Sequence, residues 1–327
     1  MKKILLPILL LGMMALLITS CKPDLNDKEL TVKVGYFPNI THAQALLGKE
    51  SEFAAAIGYP IEWKKFNAGS TEIEALMAGE LDMGYIGPGP AINGYIKTGG
   101  EIQIIAGACK GGAVLVSRRD IVIKDLKDLN NKKIAVPQYG NTQHVVLKQL
   151  LDDQGLKETS RGGTVEIVQV ENPDVKTLFD RQEIEAAFVP EPWASILVNE
   201  SEAQVVLDYN EGWRNGDYPV AVLIARTDFI KQHPEIVQKF LQTHTELTAL
   251  AENDPAASKQ IINKEIKRLT GKEISPDIMN SAYERLIFDV QFNQAAVLDM
   301  ADIMKQLGFI KDKSNLNDIF NLNILDE

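Results

Sequence analysis

From residue 32 onward, short apolar runs alternate with stretches whose apolar positions recur every three or four residues. Residues 32–37, 61–66, 83–86 and 102–106 are brief, apolar and bounded by Gly, Pro or Asn, which predicts strands. Between them, residues 43–57, 71–77 and 91–97 carry helical spacing. A second round follows, with strands expected at 114–116, 134–136, 165–170, 186–189 and 204–207. Helices are expected at 142–152, 175–179 and 193–198, and a further strand at 220–225. Beyond it the pattern turns largely helical, with Ile236, Val237, Phe240, Leu241 and Leu247 on one stripe. Such alternation calls for mainly parallel sheets covered by helices, an α/β fold.

The two rounds echo one another. Gly79-Glu80-Leu81-Asp82-Met83-Gly84-Tyr85-Ile86-Gly87-Pro88 is matched, 103 positions later, by Gln182-Glu183-Ile184-Glu185-Ala186-Ala187-Phe188-Val189-Pro190-Glu191. Each reads as a helix end, an acidic pair, a buried strand and a Pro/Gly turn into the next helix. Pro38-Asn39-Ile40-Thr41-His42 is echoed by Gly140-Asn141-Thr142-Gln143-His144 at nearly the same offset. Two comparable lobes result: a first of residues 31–113 and 222–327, and a second of residues 114–221.

The N-terminus carries a different signal. Lys2 and Lys3 precede an apolar stretch, residues 4–18, and Ile18-Thr19-Ser20-Cys21 has the form of a lipobox. Residues 1–20 are therefore expected to be a lipoprotein signal peptide, Cys21 the lipidated residue and residues 21–30 a tether. The stretch is shorter than the ~20 residues that span a bilayer, and several acyl chains on one cysteine suffice for stable anchoring. An extracytoplasmic, membrane-anchored location follows. Losing the two lysines moves the formal charge of the 327-residue chain from −11 to −13, which argues against a nucleic-acid partner. Cys109 is the other of the two cysteines, so the mature chain has no internal disulfide, and its apolar setting reads as packing.

Chemistry is expected at the strand ends, because ligands of open α/β sheets bind outside the carboxyl ends of their strands. The loops there contain Asn39, His42, Ser70, Thr71, Gly87, Pro88, Asn141, Thr142, Glu191 and Trp193. Their hydroxyls and amides either cap helices or meet a ligand oxygen, and Gly87 lets backbone approach closely. His42 and His144 open corresponding helices, where they cap or bind a ligand; no cluster has metal-ligand spacing, so neither metal nor cofactor is expected. Glu191 is either held by the helix dipole or meets an amine or hydroxyl of a ligand. Trp193 either stacks on the ligand or fills the core. Asp217 and Tyr218 precede the strand that returns to the first lobe and are expected in the cleft. His233 and His244 are expected at the surface. No phosphate-loop or dinucleotide fingerprint is present.

Val34-Gly35-Tyr36, Phe66-Asn67-Ala68-Gly69-Ser70, Ala75-Leu76-Met77-Ala78-Gly79-Glu80-Leu81-Asp82 and Gly87-Pro88-Gly89-Pro90 occur in that order. Leu126-Lys127-Asp128-Leu129, Lys133-Ile134-Ala135-Val136 and Pro190-Glu191-Pro192-Trp193 follow. Together, from about residue 31 to about 308, they resemble the ABC-importer binding proteins for aliphatic sulfonates, taurine and nitrate. The resemblance implies a type II periplasmic-binding-protein fold, two α/β lobes joined by two crossing strands, with the solute between them. It implies a monomer that delivers a small organic anion, sulfonate-like, to an ABC permease and its ATPase, without catalysis. Where sulfonate relatives often show serines before a histidine, this chain has Gly140-Asn141-Thr142-Gln143-His144, which loosens the ligand assignment. A thiamine-pyrimidine precursor, a nitrate-like anion, or a sensory role beside a membrane receptor stand as alternatives. Thiamine pyrimidine synthases share the fold but need a cysteine-rich segment, which Cys109 alone does not supply.

Overall fold

The computed structural model describes residues 30–50, 53–311 and 316–325. The expected signal peptide, Cys21 and the tether as far as residue 29 lie outside the described residues.

The chain opens with β1 (Val32–Tyr36), α1 (Ala43–Glu50), α2 (Phe53–Ile57), β2 (Ile61–Lys65), α3 (Gly69–Met77), β3 (Met83–Ile86), α4 (Pro88–Thr98) and β4 (Ile102–Gly111). It continues through β5 (Ala113–Ser117), β6 (Lys133–Val136), α5 (Thr142–Asp153), β7 (Glu166–Gln169), α6 (Asn172–Asp180), β8 (Ala186–Pro190), α7 (Trp193–Glu200) and β9 (Gln204–Leu207). Then come β10 (Pro219–Arg226), α8 (Thr227–Gln232), α9 (Pro234–Asn253), α10 (Pro255–Thr270), α11 (Pro276–Tyr283), β11 (Leu286–Phe288) and α12 (Gln294–Gln306).

Among the described residues the strands form two sheets, ordered β11-β4-β10-β3-β1-β2 and β7-β6-β8-β5-β9. β1 runs parallel to β2 and β3, and β6 parallel to β7 and β8. β10 is antiparallel to both β3 and β4, and β5 to both β8 and β9. Central strands such as β8 and β10 are apolar and almost wholly buried, as strands covered on both faces must be. The edge strand β2 instead carries Glu62, Lys64 and Lys65, charges that discourage pairing with another chain.

The chain passes from the first sheet to the second at Gly112 and returns through residues 208–218. β10 joins the first sheet from Pro219, three residues before the expected boundary at 222. β4 runs past its expected end at residue 106, because bulged pairing with β10 and then with β11 carries it to Gly111. β11 has only three residues, too few for any periodicity to reveal.

His244 is not at the surface as expected. It lies on the inward stripe of α9 with Leu241, Leu247 and Thr248. Its Nε2 donates to the Gly107 carbonyl at 2.8 Å, so Nδ1 accepts from the Tyr85 hydroxyl at 3.0 Å, and burial lowers its pKa to about 4. Cys109 is buried in β4, and burial pushes its thiol up.

One core contact is chemically unusual. Glu72, in the first turn of α3, is fully buried, and neither carboxyl oxygen has a hydrogen-bond partner among the described residues. Burial holds its pKa well above the usual carboxylate range, so the group is neutral. The carboxyl lies against the sheet face of β3: a Cβ added to Gly84 would stand 2.0 Å from Glu72 Oε1. Gly84→Ala is therefore expected to cost about 1–3 kcal/mol of stability, the usual penalty for overpacking. Urea denaturation checks this, and the same substitution in a Glu72→Ala background should cost distinctly less. Equal losses in both backgrounds would contradict the contact.

Candidate functional site

The carboxyl ends of β1, β2, β3, β6, β7 and β8 lead into loops that meet between the two sheets. A cavity of about 440 Å³, counting the open solvent at its mouth, lies there. The first sheet's loops contribute Phe37, Asn39, Thr41 and His42, then Asn67, Ala68 and Gly69, then Gly87 and Pro90. The second sheet's loops contribute Pro137 and Gln138, residues 141–143, Asn172 and Pro190, and β10 adds Val220.

Helix starts dominate this lining. Ala68 is the N-cap of α3, Gly87 of α4, and Asn39 of the short 3-10 turn Ile40–His42; none makes a side-chain cap bond. Helix starts present N–H groups without intrahelical partners and the positive end of the dipole; α4 adds only its dipole, because Pro88 and Pro90 carry no N–H and that of Gly89 is bonded to Thr142 Oγ1. Among the described residues, no Asp, Glu, Lys or Arg lines the cavity. His42 is buried, and burial holds its pKa down at about 3, so it is neutral. Its Nδ1 accepts from the Phe37 N–H at 3.2 Å, which leaves the proton on Nε2. The cavity thus offers backbone and neutral side-chain hydrogen-bonding groups.

The two halves touch directly. The Gly89 N–H donates to Thr142 Oγ1 at 3.2 Å, so the start of α4 abuts the start of α5. A Cβ at Gly87 would stand 2.5 Å from Thr142 Oγ1, and one at Gly89 3.1 Å from the Thr142 backbone nitrogen. No side chain fits at Gly87, and one at Gly89 would press the two backbones apart. On one flank Gln138 accepts from the Ser70 N–H at 3.2 Å and donates to Ser70 Oγ at 2.7 Å, and Asn67 donates to Glu171 at 3.1 Å. On the other flank Trp193 Nε1 donates to Asn39 Oδ1 at 2.8 Å.

A buried ionic cluster ties the halves behind the cavity. Glu191, fully buried, accepts from the Ser195 N–H at 3.0 Å and the Ser195 hydroxyl at 2.9 Å. Arg285, just before β11 of the first sheet, donates to Glu191 at 3.2 Å and to Asp208 at 2.9 Å. Burial outweighs these partners and pushes the Glu191 carboxyl up to about 7.

Asn39, His42, Gly87, Asn141 and Thr142 therefore line the cavity, and Ser70 sits at its flank in the pair with Gln138. Other expected residues stand elsewhere. Thr71 returns its hydroxyl to the Ala68 carbonyl, and Pro88 is buried as the first residue of α4. His144 accepts from the Gly140 N–H at 2.8 Å and packs against Tyr139 and Phe309, doing for α5 what His42 does before α1. Glu191 belongs to the ionic cluster beneath Pro190, because Arg285 draws it away from the cavity. Trp193 closes a flank through Asn39. Asp217 is exposed and accepts from Asn293 at 2.7 Å, and Tyr218 packs on Trp213 with ring centroids 5.0 Å apart. The return crossing is a coil around the turn Trp213–Gly216, which carries Asp217 to the start of α12 and buries Tyr218 against Trp213, and neither lines the cavity. Asn172 opens a loop expected at a strand end, whereas Phe37, Gln138 and Gln143 join the lining beyond the expected residues. Each lies within three residues of a strand end or in a helix's first turn, the one signal that could have found them.

Two α/β halves joined by two crossings, with strand ends and helix starts around a shared cavity, define the periplasmic-binding-protein fold. The chain belongs to the NMT1-like family, whose pattern it matches over residues 26–264. It is 29% identical to the taurine-binding periplasmic protein of Escherichia coli (strain K12), over 59% of this chain and 58% of that one. The alkanesulfonate-binding protein of Xanthomonas axonopodis pv. citri, bound to MOPS, superposes with a TM-score of 0.74 at 18% identity, covering 89% of this chain and 98% of that one. For the periplasmic nitrate-binding protein of Synechocystis PCC 6803 the TM-score is 0.71 at 17% identity, covering 91% and 86%. The last two likenesses establish the fold. All three proteins are named for binding and none for catalysis.

The ionic cluster has a pH signature. A buried carboxyl whose pKa is raised by folding stabilises the protein most when protonated and loses that contribution as pH rises. Relative to Glu191→Gln, the native protein should lose stability between about pH 4.5 and about 7 and run parallel to the variant above that. Denaturation midpoints of both across this range check the sign. Arg285→Ala should cost about 1–3 kcal/mol at neutral pH, the loss of its hydrogen bonds to charged groups, because Glu191 then takes up a proton rather than stay charged.

Proposed function

We propose that this chain is an extracytoplasmic solute-binding lipoprotein of an ABC importer, which captures a small organic anion of the sulfonate class between its two lobes. The observation that carries the reading is the lining of the cavity: helix starts and neutral donors from both halves, with no charged side chain. A sulfonate stays ionised at physiological pH and only accepts hydrogen bonds, so it needs donors and is repelled by carboxylates. Helix N-termini supply such sites without a compensating cation. Asn39, Thr142 and Gln143 add side-chain donors from both sides of the cleft, and neutral His42 adds its Nε2 proton.

The relatives support the same solute class, since one is named for taurine and another for alkanesulfonates. In this reading residues 31–113 with 222–327 form one lobe and residues 114–221 the other, the solute draws them together, and the closed monomer delivers it to a permease with its ATPase. Lipidation of Cys21 holds the domain at the outer face of the membrane, where the permease is met.

Titration calorimetry against taurine, short alkanesulfonates, nitrate and hydroxymethylpyrimidine tests the ligand class. Sulfonates are expected to bind at micromolar concentration or below, and binding of the pyrimidine alone would overturn the proposal. Thr142→Val removes one hydrogen bond to a charged ligand and should weaken the sulfonate about tenfold or more. For the anchor, Cys21→Ser should abolish incorporation of labelled palmitate and leave the protein as an uncleaved precursor of higher mass. Native protein that takes up no label would contradict lipidation.

A further inference from the structure

The polar groups around the cavity are unevenly matched, because many of its side-chain acceptors are spent on the protein itself. Asn39 Oδ1 accepts from Trp193, Asn141 Oδ1 from the His144 N–H and Gln143 Oε1 from Asn141. Gln138 Oε1 accepts from the Ser70 N–H, and Thr142 Oγ1 from the Gly89 N–H. That pairing leaves donors over, such as the Thr142 hydroxyl proton and the Gln143 amide.

Asn172 breaks the pattern. It opens α6 on the wall formed by the second half, is 9% exposed, and its Oδ1 has no hydrogen-bond partner among the described residues. Of the buried side-chain atoms left unpaired among those residues, it is the one that belongs to the cavity lining. On its far side Asn172 borders an apolar groove beside Val175 and Trp193, and the Trp193 N–H is already committed to Asn39. A buried amide oxygen without a donor costs stability, and a bound group that supplies a donor recovers it.

We infer that Asn172 determines specificity: it accepts a hydrogen bond from a neutral hydroxyl or amide N–H of the solute, whose anionic head lies among the helix starts. The inference rests on the sulfonate reading above and narrows it. A plain alkyl chain at this wall leaves Oδ1 unpaired, and so does the sulfonate, which carries no proton. An ammonium could donate, but it would be buried with no carboxylate beside it. Among the described residues no acidic side chain lines the cavity, Glu171 is bonded to Asn67, and Glu191 to Arg285. A buried, unpaired charge costs more than one hydrogen bond returns. The preferred solute is thus a hydroxy- or amido-sulfonate rather than an alkyl- or amino-sulfonate.

Calorimetry with ethanesulfonate, 2-hydroxyethanesulfonate, propanesulfonate, 3-hydroxypropanesulfonate and taurine tests this. In the native protein the better-bound hydroxysulfonate is expected to exceed its alkyl counterpart by about tenfold or more, and to exceed taurine. Asn172→Leu removes the acceptor and should bring that ratio close to one while the alkylsulfonates keep their affinity. Asn172→Asp supplies the missing carboxylate; it should weaken the alkylsulfonates and turn the order in favour of taurine. Equal affinities within both hydroxyl–alkyl pairs of the native protein would overturn the inference and leave the sulfonate reading standing. So would a hydroxyl preference that survives Asn172→Leu, or native protein that binds taurine more tightly than both hydroxysulfonates. Failure of every sulfonate to bind would remove the sulfonate reading and this inference together.

Discussion

Two helix starts that abut across a gap turn like charge toward each other. Each helix carries about half a positive elementary charge at its N-terminus, and α4 meets α5 at the Gly89–Thr142 hydrogen bond. With α3 and the 3-10 turn before α1 aimed at the same cavity, the arrangement is uncomfortable without negative charge among its members. The lining answers that constraint by omission. Carboxylates nearby are paired elsewhere, Glu171 with Asn67 and Glu191 with Arg285, so the field inside is left for a solute to satisfy.

The contacts between the halves fall into two kinds. Behind the cavity, Arg285 spans Glu191 and Asp208 in a cluster of charge-assisted hydrogen bonds. Around the cavity, Ser70–Gln138 makes two hydrogen bonds and Asn67–Glu171 and Trp193–Asn39 one each, the first two pairs exposed. Each bond is worth only about 0.5–1.5 kcal/mol net. A rigid tie on one side and weak ties on the other is the balance needed for a solute of modest affinity to shift a conformational equilibrium.

Much of the architecture was legible in the chain. The alternation of apolar runs and helical stripes located strands and helices through both rounds, and the offset echo anticipated two comparable halves. The paired histidines explain part of that echo: His42 and His144 each accept a backbone N–H from the preceding loop through Nδ1. Strand-end logic also found Asn39, Thr142 and Gly87. It failed where a partner distant in sequence decides the outcome. Nothing near Glu191 announces Arg285, and nothing near Tyr218 announces that the return crossing is a coil. Nor does periodicity locate β11, since a three-residue strand takes its identity from the neighbour it pairs with.

The strand order has a consequence for how the molecule comes into being. β10 sits between β3 and β4, so the first sheet stays divided until residue 226 has been made, and its edge strand β11 is added only at residue 288. The second sheet needs nothing beyond residue 207. A chain emerging from its N-terminus thus holds its earliest strands with an open seam while the later half finishes folding. The antiparallel pairing of β10 with both neighbours closes that seam, and the half that was begun first is finished last.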